Sequence, residues 1–110
     1  MTYQKPVNKV RQTGNLVLDL EKTTLHKGGA TFHLTPKETR LMALLMDNVG
    51  QVVSRDQLMK EVWHSNGEAL NTRSLDVHIH WLRQKIEDNP RIPEHILTWR
   101  GLGYTLRTKD

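Results

Sequence analysis

Residues 71–87 constrain the fold more than any other stretch, because their apolar side chains recur at the spacing of a helix face. Four apolar residues stand at positions i, i+4, i+7 and i+11, namely Leu75, Ile79, Leu82 and Ile86. At about 100° per residue, this spacing makes one narrow stripe that would pack against a core. The sequence therefore predicts a helix, with Thr72 as its N-cap and Asp76 in the first turn, where the helix dipole favours an acid.

The opposite face of this predicted helix carries the chemical groups that proteins use to contact DNA. They are a guanidinium, a small apolar group, an imidazole, an indole and an amide: Arg73, Val77, His80, Trp81 and Gln84. Ser74 and Lys85 lie along the border of this face. Such groups read base edges and bind phosphates. An ordinary amphipathic surface helix has the same pattern, so the stretch alone leaves both interpretations open.

Composition limits the class of protein without deciding its function. The 110 residues fit one domain, and the net charge of +4 with a pI near 9.6 indicates a polyanionic partner, although acids are interspersed among the basic residues. The absence of cysteine excludes disulfides and thiolate metal sites and fits a reducing compartment. No apolar run reaches the roughly eighteen residues of a membrane span, and no signal-peptide pattern is present. We therefore expect no membrane contact by this segment, which is compatible with a larger parent protein.

The first third of the chain predicts a small antiparallel sheet that follows a linker. Residues 1–13 carry basic side chains, no acid and no apolar periodicity, and we interpret them as a linker or arm, with an arm against DNA as the alternative. The domain then spans residues 14–110. Alternating or β-prone segments predict three strands, at residues 16–20, 23–26 and 31–34. The pair Gly28-Gly29 suits a tight hairpin turn between the second strand and the third.

Two capping boxes begin two further predicted helices. Residues 35–38 (TPKE) form the first box, with proline at the first helical position, and Gly50 ends that helix. Its predicted buried stripe consists of Leu41, Leu44, Leu45 and Val49. Residues 54–57 form the second box, after a short extended piece at Val52-Val53. The short helix that it opens has apolar residues in i, i+4 pairs, namely Leu58, Met59, Val62 and Trp63. A loop is predicted at residues 64–70.

The end of the chain predicts a glycine-tipped hairpin. The third helix ends near Asn89-Pro90, because the residue before a proline disfavours the helical conformation. Two strands are then predicted at residues 96–99 and 104–107, around the sequence RGLG at residues 100–103. The order of a small N-terminal antiparallel sheet, three helices and a C-terminal β-hairpin defines an α+β fold. This is the plan of a winged helix-turn-helix domain.

Three runs of the sequence carry a resemblance to a known family. They are LTPKETRLMALLMDNVGQVVSRDQLMKEVW (34–63), RSLDVHIHWLRQKIEDNP (73–90) and ILTWRGLGYTL (96–106). In order and spacing they resemble the DNA-binding effector domain of OmpR/PhoB-type response regulators, over nearly all of the chain after residue 14. The resemblance implies a bacterial, cytoplasmic transcription regulator. It also implies a phosphorylatable receiver domain in the full-length protein, and binding to tandem direct repeats as a homodimer.

Carried over by position, the resemblance assigns DNA contacts to the third helix and to the hairpin, or wing. The helix residues are Arg73, Ser74, Val77, His78, His80, Trp81, Arg83 and Gln84. On the wing, the contacts fall on Thr98 and on Arg100, which would reach toward the minor groove. Trp63 would donate its indole N–H to a phosphate. Residues 64–71 correspond to the segment that touches RNA polymerase in some relatives.

At two places the chain departs from the family pattern. His80 and Trp81 stand where the family often has basic residues, so this surface is less cationic than that of its relatives. Thr39 stands where the first helix usually carries an aromatic residue. This weakens the hydrophobic contact from Leu34, and another side chain is expected to fill the core volume.

Several of these residues also have structural interpretations. Arg83 pairs with Asp76 or a neighbouring acid in one alternative, Trp81 folds back on the core in another, and His78 makes a hydrogen bond at the helix border in a third. His78 and His80 invite a metal hypothesis, but residues two apart on a helix point to different sides. We therefore expect no metal ligand among them.

The predicted function is sequence-specific binding of double-stranded DNA by a two-component response regulator. The chain has no cysteine nucleophile, Gly-x-Ser-x-Gly elbow or phosphate-binding loop of the Walker type, so we expect neither enzymatic activity nor a cofactor. Two alternatives stay open. One is a DNA-binding domain of the same fold in a membrane-anchored one-component activator, and the other is a winged helix used only for protein interaction.

Overall fold

A computed structural model of the chain describes residues 9–63 and 73–108. Four strands come first: β1 (Val10–Thr13), β2 (Leu16–Asp19), β3 (Thr24–Lys27) and β4 (Ala30–His33). Next come three helices and a short strand: α1 (Pro36–Asp47), β5 (Val53–Ser54), α2 (Arg55–Trp63) and α3 (Arg73–Ile86). The wing consists of β6 (Ile96–Trp99) and β7 (Gly103–Leu106). This order confirms the predicted α+β winged helix-turn-helix fold. The predicted N-cap Thr72 and the loop at residues 64–71 lie outside the described residues.

The N-terminal sheet has one strand more than the sequence predicted. Strands β1 to β4 form an antiparallel sheet in chain order, and a turn at Gly14, with φ of 56°, joins β1 to β2. The prediction of a linker over residues 1–13 is therefore wrong for Val10–Thr13, while residues 1–8 lie outside the described part. The sequence did not predict β1 because this strand lies at the sheet edge and is held by backbone pairing rather than by an apolar face. Arg11 also forms an ion pair with Asp47 of α1, at 2.9 Å.

Helix α1 begins at the predicted capping box. The Thr35 hydroxyl accepts a hydrogen bond from the backbone N–H of Glu38 at 3.2 Å, and the Glu38 carboxylate accepts one from the Thr35 N–H at 2.8 Å. The helix buries four large apolar side chains: Leu41, Met42, Leu45 and Met46. The predicted stripe is wrong at Val49, which lies beyond the C-cap and is exposed, and Leu44 is half-buried.

A surface groove lies where Thr39 replaces the expected aromatic residue. Thr39 is buried, and its hydroxyl donates to the Thr35 carbonyl at 2.9 Å, so it contributes a hydrogen bond and little volume. The groove measures about 450 Å³, and Leu20, Ala43 and Val62 line it together with Thr39. The expectation that another side chain fills the core volume of the missing aromatic residue stays a prediction, since Thr39 itself is covered by its neighbours.

The second sheet attaches the wing to the helices. Its strand order is β5-β7-β6, with β7 antiparallel to both neighbours. Strand β5 begins at Val53, and the Ser54 hydroxyl then caps α2 by accepting a hydrogen bond from the N–H of Gln57 at 3.1 Å. Helix α3 ends at Ile86, whose carbonyl accepts a hydrogen bond from the Lys27 ammonium. This end lies three residues before Asn89, near which the sequence predicted it.

Candidate nucleic-acid interface

Five of the exposed side chains of α3 form a surface that we call the outer face: Arg73, Val77, His80, Trp81 and Gln84. On the opposite side, each of the four residues of the predicted stripe is at most 1% exposed. This confirms the predicted division of the helix into two faces. Of the border residues, Ser74 is half-buried, while Lys85 turns toward α1 and β4. It donates to the Glu38 carboxylate at 2.7 Å and to the His33 carbonyl at 3.0 Å.

An aromatic stack links α2 to the outer face. The His78 ring lies between two indoles, with its centroid 5.1 Å from that of Trp63 and 4.9 Å from that of Trp81. Its Nδ1 donates to the Ser74 carbonyl at 2.7 Å. The Lys37 ammonium lies 5.5 Å from the Trp63 ring centroid, within cation–π range. His78 thus makes the predicted structural hydrogen bond. The alternative that folds Trp81 into the core is wrong, because Trp81 is 45% exposed.

Arg83 points at the base of the wing rather than outward. Its guanidinium donates twice to the Ile96 carbonyl, from Nε at 3.0 Å and from Nη2 at 2.7 Å, and once to the Thr98 hydroxyl at 2.6 Å. It also lies 5.7 Å from the Tyr104 ring centroid. Burial lowers the pKa of Arg83 below its usual value. The alternative in which Arg83 pairs with Asp76 is therefore wrong, and the geometry makes Arg83 a positioning residue for the wing.

Asp76 forms a second link between α3 and the wing, and this link includes α2. The Arg55 guanidinium donates to both carboxylate oxygens of Asp76, at 2.8 and 3.2 Å, and the Tyr104 hydroxyl donates to one of them at 2.7 Å. The hydrogen bond from Arg55 is the main reason that the pKa of Asp76 is lowered. Burial, followed by the hydrogen bond to Asp76, raises the pKa of Tyr104. A single carboxylate thus joins α2, α3 and β7.

Glu87, directly after α3, forms the third link. Its buried carboxylate accepts hydrogen bonds from three consecutive backbone N–H groups, those of Glu94, His95 and Ile96, at 2.8–3.1 Å. Both backbone polar groups of Ile96 are therefore bonded to this part of the chain. Its N–H donates to Glu87, and its carbonyl accepts from Arg83, which lies one helical turn before Glu87. These two links fix where β6 begins relative to α3.

The wing tip carries an exposed cation between two exposed apolar side chains. Arg100 is exposed, and Trp99 and Leu102 are 48% and 61% exposed. The tip closes through a hydrogen bond from the Leu102 N–H to the Trp99 carbonyl at 2.8 Å, and Gly101 supplies the positive φ of 75° that this turn requires. Thr98 is also exposed, although its hydroxyl is occupied by Arg83.

Sequence reasoning missed the three links from α3 to the wing. Asp76 was expected to serve the helix dipole, and neither Glu87 nor Tyr104 was singled out. Their partners lie 7 to 28 positions away in the chain, and no local pattern reports such pairs. The one available signal was the carboxylate of Glu87 at the close of an apolar stripe, a position that demands a buried partner.

Arg83→Ala is expected to lower the free energy of unfolding by about 2 kcal/mol, because the Ile96 carbonyl and the Thr98 hydroxyl lose charge-assisted hydrogen bonds in a half-buried place. Urea denaturation followed by circular dichroism measures this loss. The matched control is Arg91→Ala at an exposed arginine, for which we expect a change within about 0.5 kcal/mol. Equal stability of the two variants would mean that the hydrogen bonds of Arg83 to Ile96 and Thr98 contribute little.

Metal sites and membrane-spanning helices are both absent from the described residues. Within the ranges 9–63 and 73–108, His, Asp and Glu side chains form no group of three or more that could hold a metal ion. In the same ranges, no helix combines the length and apolar character needed to cross a bilayer. The candidate site on the described surface is the outer face of α3 together with the wing, whose tip carries Arg100.

Comparison with known proteins identifies this arrangement. The family described as "Transcriptional regulatory protein, C terminal" matches residues 29–106. The chain is similar to the probable transcriptional regulator ycf27 of Cyanophora paradoxa, with 44% identity over 94 residues that cover 84% of this chain and 39% of that protein. It spans only 39–44% of the length of the first curated relatives that it matches.

Solved structures give the same result. The RstA DNA-binding domain of Klebsiella pneumoniae, solved in complex with the RstA box, is 30% identical with a TM-score of 0.78, over 91% of this chain and 98% of that one. The response regulator DrrB of Thermotoga maritima, an OmpR/PhoB homologue, is 31% identical with a TM-score of 0.76, over 90% of this chain and 44% of that one. The chain therefore belongs to the family of C-terminal domains of OmpR/PhoB-type transcriptional regulatory proteins, which is not a family of enzymes.

Proposed function

We propose that this chain is the effector domain of a bacterial two-component response regulator, and that it binds specific sites on double-stranded DNA. In this proposal α3 enters the major groove and the wing contacts the adjacent minor groove. Binding is the whole of its chemistry. Cationic side chains engage phosphates, and the outer face of α3 reads base edges.

One observation carries the proposal: the outer face of α3 is free of the core, and three polar links hold the wing beside it. Arg73 and Arg100 bring positive charge to the helix and to the wing tip, while His80 and Gln84 offer groups that hydrogen-bond to base edges. In this proposal, the three carboxylate and guanidinium links hold the wing beside the outer face, so that both surfaces contact one duplex.

The remaining predicted site residues fit the same interface. Trp63 is half-buried and its indole carries an N–H donor, and Ser74 and His78 lie beside the outer face. Thr98 of β6 is exposed. We propose phosphate contacts for these four residues, and we assign Arg83 the task of orienting the wing.

The relatives support further proposals about the whole protein. Since the matched relatives are more than twice as long, we propose that a receiver domain belongs to the full-length protein and that its location is cytoplasmic. The RstA domain was solved with its DNA box, which supports DNA as the partner here. A homodimer on tandem direct repeats and a contact between residues 64–71 and RNA polymerase complete the proposal.

Salt dependence of DNA affinity tests the function. We expect the logarithm of the association constant to fall linearly with the logarithm of salt concentration, with a slope of about −4 to −5, because about four to six phosphates are neutralised at roughly −0.9 each. Fluorescence anisotropy with a duplex recovered by in vitro selection measures the slope.

The wing supplies the control for this measurement. Arg100→Ala should weaken binding to all sequences about equally and reduce the magnitude of the slope by about one, since it removes one phosphate-directed cation. A chain that binds neither selected nor random duplex at low salt would be a protein-interaction module, and the proposed function would be wrong.

A further inference from the structure

The outer face of α3 contains an apolar spot at its centre. Trp81 is 45% exposed and Val77, one helical turn earlier, is 41% exposed, so the two side chains form a neighbouring i, i+4 pair. Around this pair lie the polar residues of the same face, Arg73, His80 and Gln84. An indole in this position leaves a large apolar area in water unless a partner covers it.

The Trp81 ring is held in place before any partner arrives. It packs on the His78 ring at 4.9 Å, with a tilt of 54° between the planes. His78 is itself fixed from two sides, by its hydrogen bond to the Ser74 carbonyl and by its edge-on contact with Trp63 at 87°. Because these contacts restrict the indole, covering it costs little side-chain entropy.

The chemistry of the ring limits what it can recognise on DNA. An indole carries no charge and no hydrogen-bond acceptor, so it cannot fork onto guanine as an arginine does. The apolar group that base pairs present in the major groove is the C5-methyl of thymine. Packing on a sugar is the alternative contact, and it would be indifferent to base identity.

We propose that Trp81 is a specificity-determining residue that packs on the C5-methyl of a thymine, and that the preferred DNA site therefore contains a thymine opposite this ring. The inference rests on the proposed function, because it requires α3 to lie in the major groove. It extends that function by naming the base and the chemical group that are recognised.

Deoxyuridine substitution tests the proposal, because it removes the methyl and leaves every hydrogen-bonding group of the base. Each thymine of a site recovered by in vitro selection is replaced in turn, and the Kd of the full chain is measured by fluorescence anisotropy at constant salt. We expect one replacement to weaken binding about fourfold, the value of one buried methyl-sized group. In Trp81→Ala, thymine and deoxyuridine at that position should bind equally.

Two variants complete the test. Trp81→Phe keeps an apolar ring and should retain the difference between thymine and deoxyuridine. Trp99→Ala makes the corresponding truncation at the wing, where the indole is also exposed, and should retain it as well. The proposal is overturned if no thymine is sensitive, or if the difference persists in Trp81→Ala or disappears in Trp99→Ala. The proposed function survives those outcomes, whereas a chain that binds no duplex would overturn both.

Discussion

Gly103→Ala is expected to lower the free energy of unfolding by about 3 kcal/mol, and the melting temperature by about 10–20 °C. A Cβ at this position would overlap the carbonyl oxygen of Val53 and lie 2.8 Å from its carbonyl carbon and 2.9 Å from the Cα of Ser54. These are backbone atoms of β5, so no side chain can rotate to make room. Strand β7 would have to separate from β5, with which Tyr104 and Gly103 pair.

The consequence extends to DNA affinity, because β7 is also the strand that positions the wing. Gly103 pairs with Trp99 across the hairpin, and the next residue, Tyr104, holds Asp76 of α3. Displacing the strand would move the wing tip relative to the outer face. We therefore expect weaker DNA binding even at temperatures where the variant remains folded.

Gly101→Ala is the matched control for this substitution. At Gly101 no atom lies within 4 Å of the added carbon, so the cost comes only from the positive φ of 75° and should be about 1 kcal/mol. Differential scanning calorimetry of both variants measures the difference. If Gly103→Ala proves no more damaging than Gly101→Ala, the close approach of β7 to β5 does not limit stability.

The elements that could be predicted from the sequence are those whose cause is local. The apolar stripe of α3 and the capping box at Thr35 and Glu38 each involve residues within a few turns of one another, and both are confirmed. Strand β1 was missed because its stability comes from backbone pairing with β2, and its side chains carry no apolar alternation.

The candidate site likewise has one part that a local sequence pattern predicts and another part that it does not. The outer face of α3 was predicted, since helical periodicity alone separates it from the core. The direction of Arg83 was not, because a helix of this pattern presents the same side chain whether its partner is a phosphate or the carbonyl of Ile96. Only the fold brings β6 within reach of that guanidinium.

Glu87→Gln should lower the free energy of unfolding by about 3 kcal/mol, although it changes only one atom of the side chain. The carboxylate accepts from three backbone N–H groups, using both oxygens. An amide has one acceptor oxygen, so its NH₂ group would face the N–H of either Ile96 or Glu94, donor against donor, in a buried place.

Urea denaturation measures this loss, and Glu21→Gln provides the same chemical change at the surface. Glu21 is 68% exposed and lies 3.5 Å from Lys9, an arrangement for which we expect a change within about 0.5 kcal/mol. Similar losses in both variants would mean that the three hydrogen bonds to Glu87 contribute little. A large loss confined to Glu87→Gln, accompanied by weaker DNA binding, would instead show that a buried carboxylate remote from the outer face controls the orientation of the wing. The reason is that Ile96 would keep the hydrogen bond from Arg83 to its carbonyl and lose the one from its N–H to Glu87.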